Sequence, residues 1–347
     1  MLSFRKASAI FAVLAGCTSA SLAQAQTKIT IGTVKSLGAI ASYIAEDKGY
    51  FKEQGLQVDL VMMNSTANAV GVFAKGDLNI LEGGIAVGFF NAVAKKLPMI
   101  IASDRVSSPI MHRLLVGTQH KGKITKITDL KGKSIGNVAT GAVTTYELGK
   151  MLASAGMGLN DVQLKAVPFP QMGVALKNGA IEAALVIEPF TTRFEQQGLG
   201  YSVANADDLV QPSPMTISVA ILNTDWAAKN KEVVRKFFVA YLRATRDYCL
   251  AYHRSPNRPE IVAIAVKNGL VANAAAMEKT PWTGRNLDGR VNVPSLMDMQ
   301  KFYVANKLMK TIVPGEKLYT SEYIDHANKV LGPLPVIPAS SNAPGCR

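Results

Sequence analysis

The sequence predicts an α/β protein made of two units, and three observations carry that prediction. Short β-rich runs alternate with helix-patterned stretches along most of the chain, the grammar of strands joined by helical crossovers in a parallel architecture. The 347 residues exceed what one small core organises and suit two domains of ordinary size. A helix end, a glycine stop and a buried run occur twice, at Ala69-Val70-Gly71-Val72-Phe73-Ala74-Lys75-Gly76-Asp77-Leu78 and at Gly173-Val174-Ala175-Leu176-Lys177-Asn178-Gly179-Ala180-Ile181. That echo puts one α/β unit in each half.

The elements follow in order. Residues 1–25 read as a targeting segment, with Arg5 and Lys6 as a positive region and residues 7–14 as a short apolar stretch. Two processing sites compete. Ala23-Gln24-Ala25 would release a soluble chain, whereas Leu14-Ala15-Gly16-Cys17 resembles a lipobox that would anchor the chain through Cys17. Either one places the protein outside the cytoplasm. Strands are predicted at 28–34, 56–62, 78–81 and 99–102, with helices carried by Ile40, Tyr43 and Ile44 and by Val70 and Phe73.

A second set of strands follows at 114–117, 134–138, 162–167, 183–187 and 201–204. Between them Leu148, Met151, Leu152 and Ala155 recur at helical spacing, with Gly156 as the stop. Residues 216–222 read as a strand returning to the first unit. A long amphipathic helix then buries Val233, Val234, Phe237, Phe238, Tyr241 and Leu242. The residues from Pro333 onward hold four prolines and read as a surface tail. Cys249 lies on an apolar stripe and reads as a small buried hydrophobe. Its pairing with Cys346 is possible in an oxidising compartment, and the spacing leaves it open.

Composition narrows the function. The chain is 48% hydrophobic and 18% charged, which is globular. The net charge is +13, and without Arg5 and Lys6 it is still 36 basic against 25 acidic residues. The basic residues are scattered, with no basic stripe interleaved with aromatics, so no nucleic-acid partner is expected. No apolar run after the targeting segment reaches the roughly 20 residues of a membrane span.

One stretch carries a family likeness. Ile44-Ala45-Glu46-Asp47-Lys48-Gly49-Tyr50-Phe51-Lys52-Glu53-Gln54-Gly55-Leu56-Gln57-Val58 resembles the opening of the nitrate/sulfonate/taurine-type substrate-binding proteins of ABC importers, which the thiamine-pyrimidine-binding proteins share. Asp129-Leu130-Lys131-Gly132-Lys133-Ser134-Ile135-Gly136, then Ala175-Leu176-Lys177-Asn178-Gly179, then Glu188-Pro189, agree in order. Leu287-Asp288-Gly289-Arg290-Val291-Asn292 and Met299-Gln300-Lys301-Phe302 resemble the family's C-terminal portion.

The resemblance implies a type II periplasmic-binding-protein fold. Lobe one would span 27–104 plus 215–332, lobe two 106–214, and 333–347 would form a tail. A two-strand hinge is expected at 103–111 and 211–216, where Pro109, Pro212 and Pro214 favour extended chain. It further implies a monomeric periplasmic protein that captures a small molecule and delivers it to an inner-membrane permease with its ATPase. The ligand would be an organic anion such as a sulfonate, taurine or a carboxylate. A thiamine-precursor pyrimidine is the alternative, and an enzyme or a periplasmic sensor on the same fold are rivals from other classes. No cofactor, metal or catalytic residue is expected.

Ligands of open α/β sheets sit beyond the carboxyl ends of the strands, where helix N-termini offer free N–H groups. That rule selects Ser36, Leu37 and Gly38, then Asn64, Ser65 and Thr66, then Glu82, Gly83 and Gly84 in lobe one. In lobe two it selects Thr140, Gly141, Ala142, Val143 and Thr144, with Glu188 and Pro189. Plainer readings stand beside these. Ser65, Thr66 and Thr144 would serve as helix caps, Gly83 and Gly84 as turn residues, and Glu188 would pair with a base such as Arg193. Leu37, Phe190 and Trp282 would pack in a core instead of walling a site.

Other motifs fail on context. Gly132-Lys133-Ser134-Ile135-Gly136 has the letters of a hydrolase elbow but precedes its strand. The same segment lacks the earlier glycine of a P-loop, since Ile127 stands there. His112, His120, His253 and His326 lack zinc-site spacing.

Overall fold

The computed structural model describes residues 26–339 and 341–347. The targeting segment, with Cys17 and the processing site at Ala25, lies outside the described residues. Among the described residues ten strands make two five-stranded sheets. The first has the order β2-β1-β3-β10-β4, with β1 at Thr27–Val34, β2 at Leu56–Met63, β3 at Ile80–Gly84, β4 at Met99–Ser107 and β10 at Thr216–Asn223. The second has the order β7-β6-β8-β5-β9, with β5 at Arg113–Gly117, β6 at Ser134–Asn137, β7 at Gln163–Ala166, β8 at Ala183–Val186 and β9 at Gly200–Asn205. The chain leaves the first sheet through residues 108–112. It returns through the short helix Ala206–Leu209 and residues 210–215.

Three expectations need correction. The sheets are mixed, because β10 is antiparallel to β3 and β4, and β5 is antiparallel to β8 and β9. Each of these strands arrives from the other sheet by a short connection, without the helical crossover that would bring it in parallel. The third strand starts at Ile80 and runs through Glu82, Gly83 and Gly84, which pair with Ala220, Val219 and Ser218. Those three residues therefore lie in a strand, not in a loop after one. The fourth strand runs past Ala102 to Ser107. Hydrophobic periodicity stopped there because Ser103, Asp104, Arg105 and Ser107 are polar, yet all four are buried.

The helix Lys231–Tyr252 anchors the main core. Its buried Val234, Phe237, Phe238, Tyr241, Leu242, Thr245, Tyr248 and Cys249 recur at helical spacing; Val233 is only half-buried. Phe237 stacks on Phe51 at 5.4 Å between ring centroids. Full burial of each such aromatic contributes about 1.5–3 kcal/mol.

A second cluster joins the two sheets, with Phe89, Leu114, Leu148, Met299 and Tyr303 in one apolar body. The helices Val143–Ser154 and Val293–Ala305 meet there, Tyr146 against Phe302 at 5.4 Å. The Tyr146 hydroxyl donates to Asp298 at 2.7 Å, and Lys150 pairs with the same carboxylate at 3.0 Å.

The C-terminal residues do not all lie on the surface. Cys346 is 1% exposed and disulfide-bonded to Cys249, so the pairing that the spacing left open is made. Among the described residues no helix is long and apolar enough to cross a membrane.

Candidate functional site

The ends of both sheets face one cavity. From the first sheet it is lined by Val34, Ser36 and Gly38, by Ser65 and Thr66, by Gly83 and Gly84, by Arg105 and Val106, and by Ile217 and Ser218. From the second sheet come His112, Val138, Ala142, Val143, Thr144, Phe169, Ile187 and Glu188, and Thr283 closes the circuit. Its volume is about 70 Å³. One water fills about 10–15 Å³ on that scale, so the room suits a ligand of only a handful of non-hydrogen atoms.

Close approach of the two halves depends on glycine. A Cβ on Gly84 would lie 2.7 Å from Val143 across the cavity, and one on Gly141 (φ +72°) would lie 2.4 Å from Val87. Three hydrogen bonds cross the same gap. Val87 N–H donates to Gly141 O at 2.8 Å, Leu37 N–H to Glu188 O at 3.5 Å, and the Tyr303 hydroxyl to Ala142 O at 3.2 Å. The conformation is closed.

The polar floor belongs to the first sheet. Arg105 is 2% exposed and donates to Ser218 and Thr33, both at 3.0 Å, with its Nε 3.5 Å from Glu82. Glu82 in turn accepts from Ser42 at 2.9 Å. Burial pushes Glu82 above and Arg105 below its ordinary range, and each charge opposes the other's shift. Arg285 braces this floor by donating to the carbonyls of Arg105 at 2.6 Å and of Leu37 and Gly38 at 3.1 Å. Asp104 accepts from Ser107 and from Asn286 N–H; burial nonetheless pushes its carboxyl up to about 6.

The second sheet supplies a different set. The helix Val143–Ser154 opens onto the cavity with no side chain capping it, which leaves first-turn N–H groups and the positive dipole end to a ligand. Glu188 accepts from the N–H and hydroxyl of Thr192 at 3.2 and 3.0 Å, and Arg113 stands 3.7 Å away. Burial outweighs these partners and pushes Glu188 up to about 7. His112 contacts Glu147 at 2.8 Å. Burial works against the imidazolium, but Glu147 prevails and the His112 pKa is raised.

Of the residues chosen from the sequence, the structure gathers ten around the cavity: Ser36, Gly38, Ser65, Thr66, Gly83, Gly84, Ala142, Val143, Thr144 and Glu188. The other six do not line it. Leu37 is buried in the main core, Glu82 stands behind Arg105, and Asn64 and Thr140 are exposed. Gly141 spends its space on Val87, and Pro189 faces a separate groove with Leu270 and Ala276.

The plainer readings also have their share. Ser65 accepts from Ala67 N–H as a cap. The hydroxyls of Thr66 and Thr144 are given to Gly84 O and Asn137. Leu37, Phe190 and Trp282 pack in cores. Arg193 is not the partner of Glu188; its guanidinium lies over the rings of Phe190 and Phe194.

The strand-end rule missed Arg105, His112, Phe169, Ser218 and Thr283. Arg105 lies in the polar stretch Ser103-Asp104-Arg105, just past the point where the apolar run of β4 ends at Ala102. Ser218 sits inside β10 and Thr283 in irregular chain, where no local pattern marks them.

The NMT1-like family matches residues 22–266. The nitrate/nitrite binding protein NrtA of Nostoc sp. is 24% identical over 259 residues, covering 69% of this chain and 57% of that protein. The taurine-binding periplasmic protein of Escherichia coli is 28% identical over 208 residues, covering 58% and 61%. A 4-amino-5-hydroxymethyl-2-methylpyrimidine phosphate synthase of Aspergillus parasiticus is 25% identical over 219 residues, covering 60% and 62%. The chain thus spans about three-fifths of the length of these relatives. The periplasmic nitrate-binding protein NrtA of Synechocystis PCC 6803 superposes with a TM-score of 0.72 at 17% identity, covering 91% of this chain and 92% of that one. At that identity the likeness speaks to the fold, a periplasmic-binding-protein fold of two α/β lobes. The chain belongs to the NMT1-like family.

Proposed function

We propose that this protein is the periplasmic solute-binding component of an ABC importer, holding a small organic anion between two lobes and handing it to a membrane permease with its ATPase. Lobe one is taken as 27–104 plus 215–332 and lobe two as 106–214, working as a monomer. The observation that carries this reading is a small cavity to which both sheets contribute. It has the fixed Arg105 guanidinium on one side and an uncapped helix start on the other. Closure on such a ligand needs only differential affinity for the closed state, and micromolar binding is worth about −8 kcal/mol. Calorimetric titration of the purified protein with taurine, an alkanesulfonate, nitrate, bicarbonate and acetate tests it. Taurine, the alkanesulfonate or acetate should bind and be recovered unchanged. Binding by none of them, or recovery of a chemically altered compound, overturns the proposal.

A second reading rests on Glu188. Its buried carboxyl, pushed up to about 7, would regain its charge beside a ligand carrying a basic ring nitrogen or amine. A pyrimidine precursor has that chemistry. Tighter binding of an aminopyrimidine than of every anion above would favour it.

A further inference from the structure

Two groups lining the cavity have no hydrogen-bond partner, the Arg105 Nε, which still pairs with Glu82 at 3.5 Å, and the Thr283 hydroxyl. Thr283 is 3% exposed, lines the cavity, and its hydroxyl has no partner. A buried hydroxyl left unpaired is costly, and an unpaired group in a native site calls for a missing partner. Its neighbours explain how it is held. Gly284 N–H donates to Pro109 O at 2.8 Å, and Gly284 O accepts from Ser107 N–H at 3.0 Å. The segment is thereby laid against the first connection between the sheets. Two residues beyond Thr283, Arg285 holds the Leu37–Gly38 turn.

The other side of this segment is covered by the C-terminus. A Cβ on Gly345 would fall 2.7 Å from Pro109 Cδ and 2.9 Å from Gly284 Cα, so the tail is pressed onto both. Leu287 N–H donates to Arg347 O at 3.5 Å, and Gly345 N–H donates to the Tyr252 hydroxyl at 3.3 Å. His253 reaches Ser341 at 2.6 Å and Cys346 O at 3.1 Å. The Cys249–Cys346 bond ties all of this to the long helix across 97 residues of sequence.

We propose that Thr283 contacts the ligand, and that the disulfide-held C-terminal tail is a brace that positions Thr283 and Arg285 from behind. The first half rests on the capture function proposed above; the second stands without it.

Amide exchange on the full chain tests the brace. In a Cys249→Ser/Cys346→Ser variant, or in folded wild type reduced with a phosphine, the amides of Gly284, Asn286 and Leu287 should exchange at least tenfold faster. Those of β6 and β8 should not change, and reoxidation should restore protection. Equal protection of residues 284–287 with and without the bond overturns the brace, as does a loss spread evenly over both sheets.

For the contact, Thr283→Val should weaken binding of the tightest anion of the panel at least tenfold, with the melting temperature unmoved. Thr283→Ser should stay within about threefold of wild type. Undiminished affinity in Thr283→Val overturns the contact alone. If no compound binds wild type, the capture reading falls and the Thr283 contact with it, while the exchange result still decides the brace.

Discussion

The two sheets follow one plan and treat the cavity differently. In each, three parallel strands are followed by an antiparallel strand from the far side and then an outer strand, β2-β1-β3-β10-β4 beside β7-β6-β8-β5-β9. The echo between residues 69–78 and 173–181 falls at equivalent places, each just before the third strand of its sheet. The first sheet spends its charges on itself. Arg105, Glu82, Asp104 and Arg285 are all buried and bonded before any ligand arrives. The second offers groups that are less committed, an open helix start and a carboxyl near neutrality. A fixed floor needs no reorganisation when the ligand binds, which is how preorganisation favours affinity. Duplicated topology thus does not impose duplicated chemistry.

Breaking the floor should have the largest effect. Arg285→Met leaves the carbonyls of Arg105, Leu37 and Gly38 without their donor and removes a cation beside Glu82 and Asp104. The expected cost is about 3–5 kcal/mol in denaturant unfolding. A loss under about 1 kcal/mol would mean that the floor is not the rigid half.

Glu188 sharpens the contrast through pH. Its folded pKa of about 7 lies above the ordinary value of 4.5. The stability it contributes is therefore complete below pH 4.5 and is lost as pH rises through 7, by about 3 kcal/mol. Asp104, raised to about 6 from 3.8, adds a loss of the same sign at lower pH. Glu188→Gln should flatten the upper part of this profile, so that thermal unfolding at pH 8 favours the variant relative to its standing at pH 5. Parallel profiles would assign the pH dependence elsewhere.

Gly141→Ala and Gly156→Ala form a matched pair, since both positions have φ +72° but only Gly141 has a neighbour, Val87 at 2.4 Å. Each should lose about 1 kcal/mol to left-handed backbone strain. Only Gly141→Ala should also reduce ligand affinity, about tenfold or more by titration. The smallest effect is expected for Asp298→Asn, which removes the Lys150 ion pair at a partly exposed site. A cost of about 0.5–1 kcal/mol in thermal unfolding would leave the Tyr146–Phe302 packing as the main tie between the two helices.

Strand positions, the return of 216–222 to the first sheet and the loops beyond β1, β2 and β6 were legible in the sequence, because alternation of polar and apolar residues and strand-end geometry are local properties. The boundaries of β3 and β4 were not, because their polar residues are buried by pairing with β10, a strand more than 100 residues away in sequence. The same reason hid Arg105 and Ser218. A side chain inside a strand becomes part of a site only when another strand sets its register.

By itself the sequence determined an α/β chain in two halves, an expected family, and the small and hydroxylic residues that flank the cavity. Tertiary structure alone decided which of them share that cavity, that Glu82 backs Arg105 instead of lining it, and that Cys346 returns to Cys249 beside the first connection between the sheets. Those outcomes depend on contacts between distant segments, whose free energy comes from shape and charge meeting in space and leaves no periodicity along the chain.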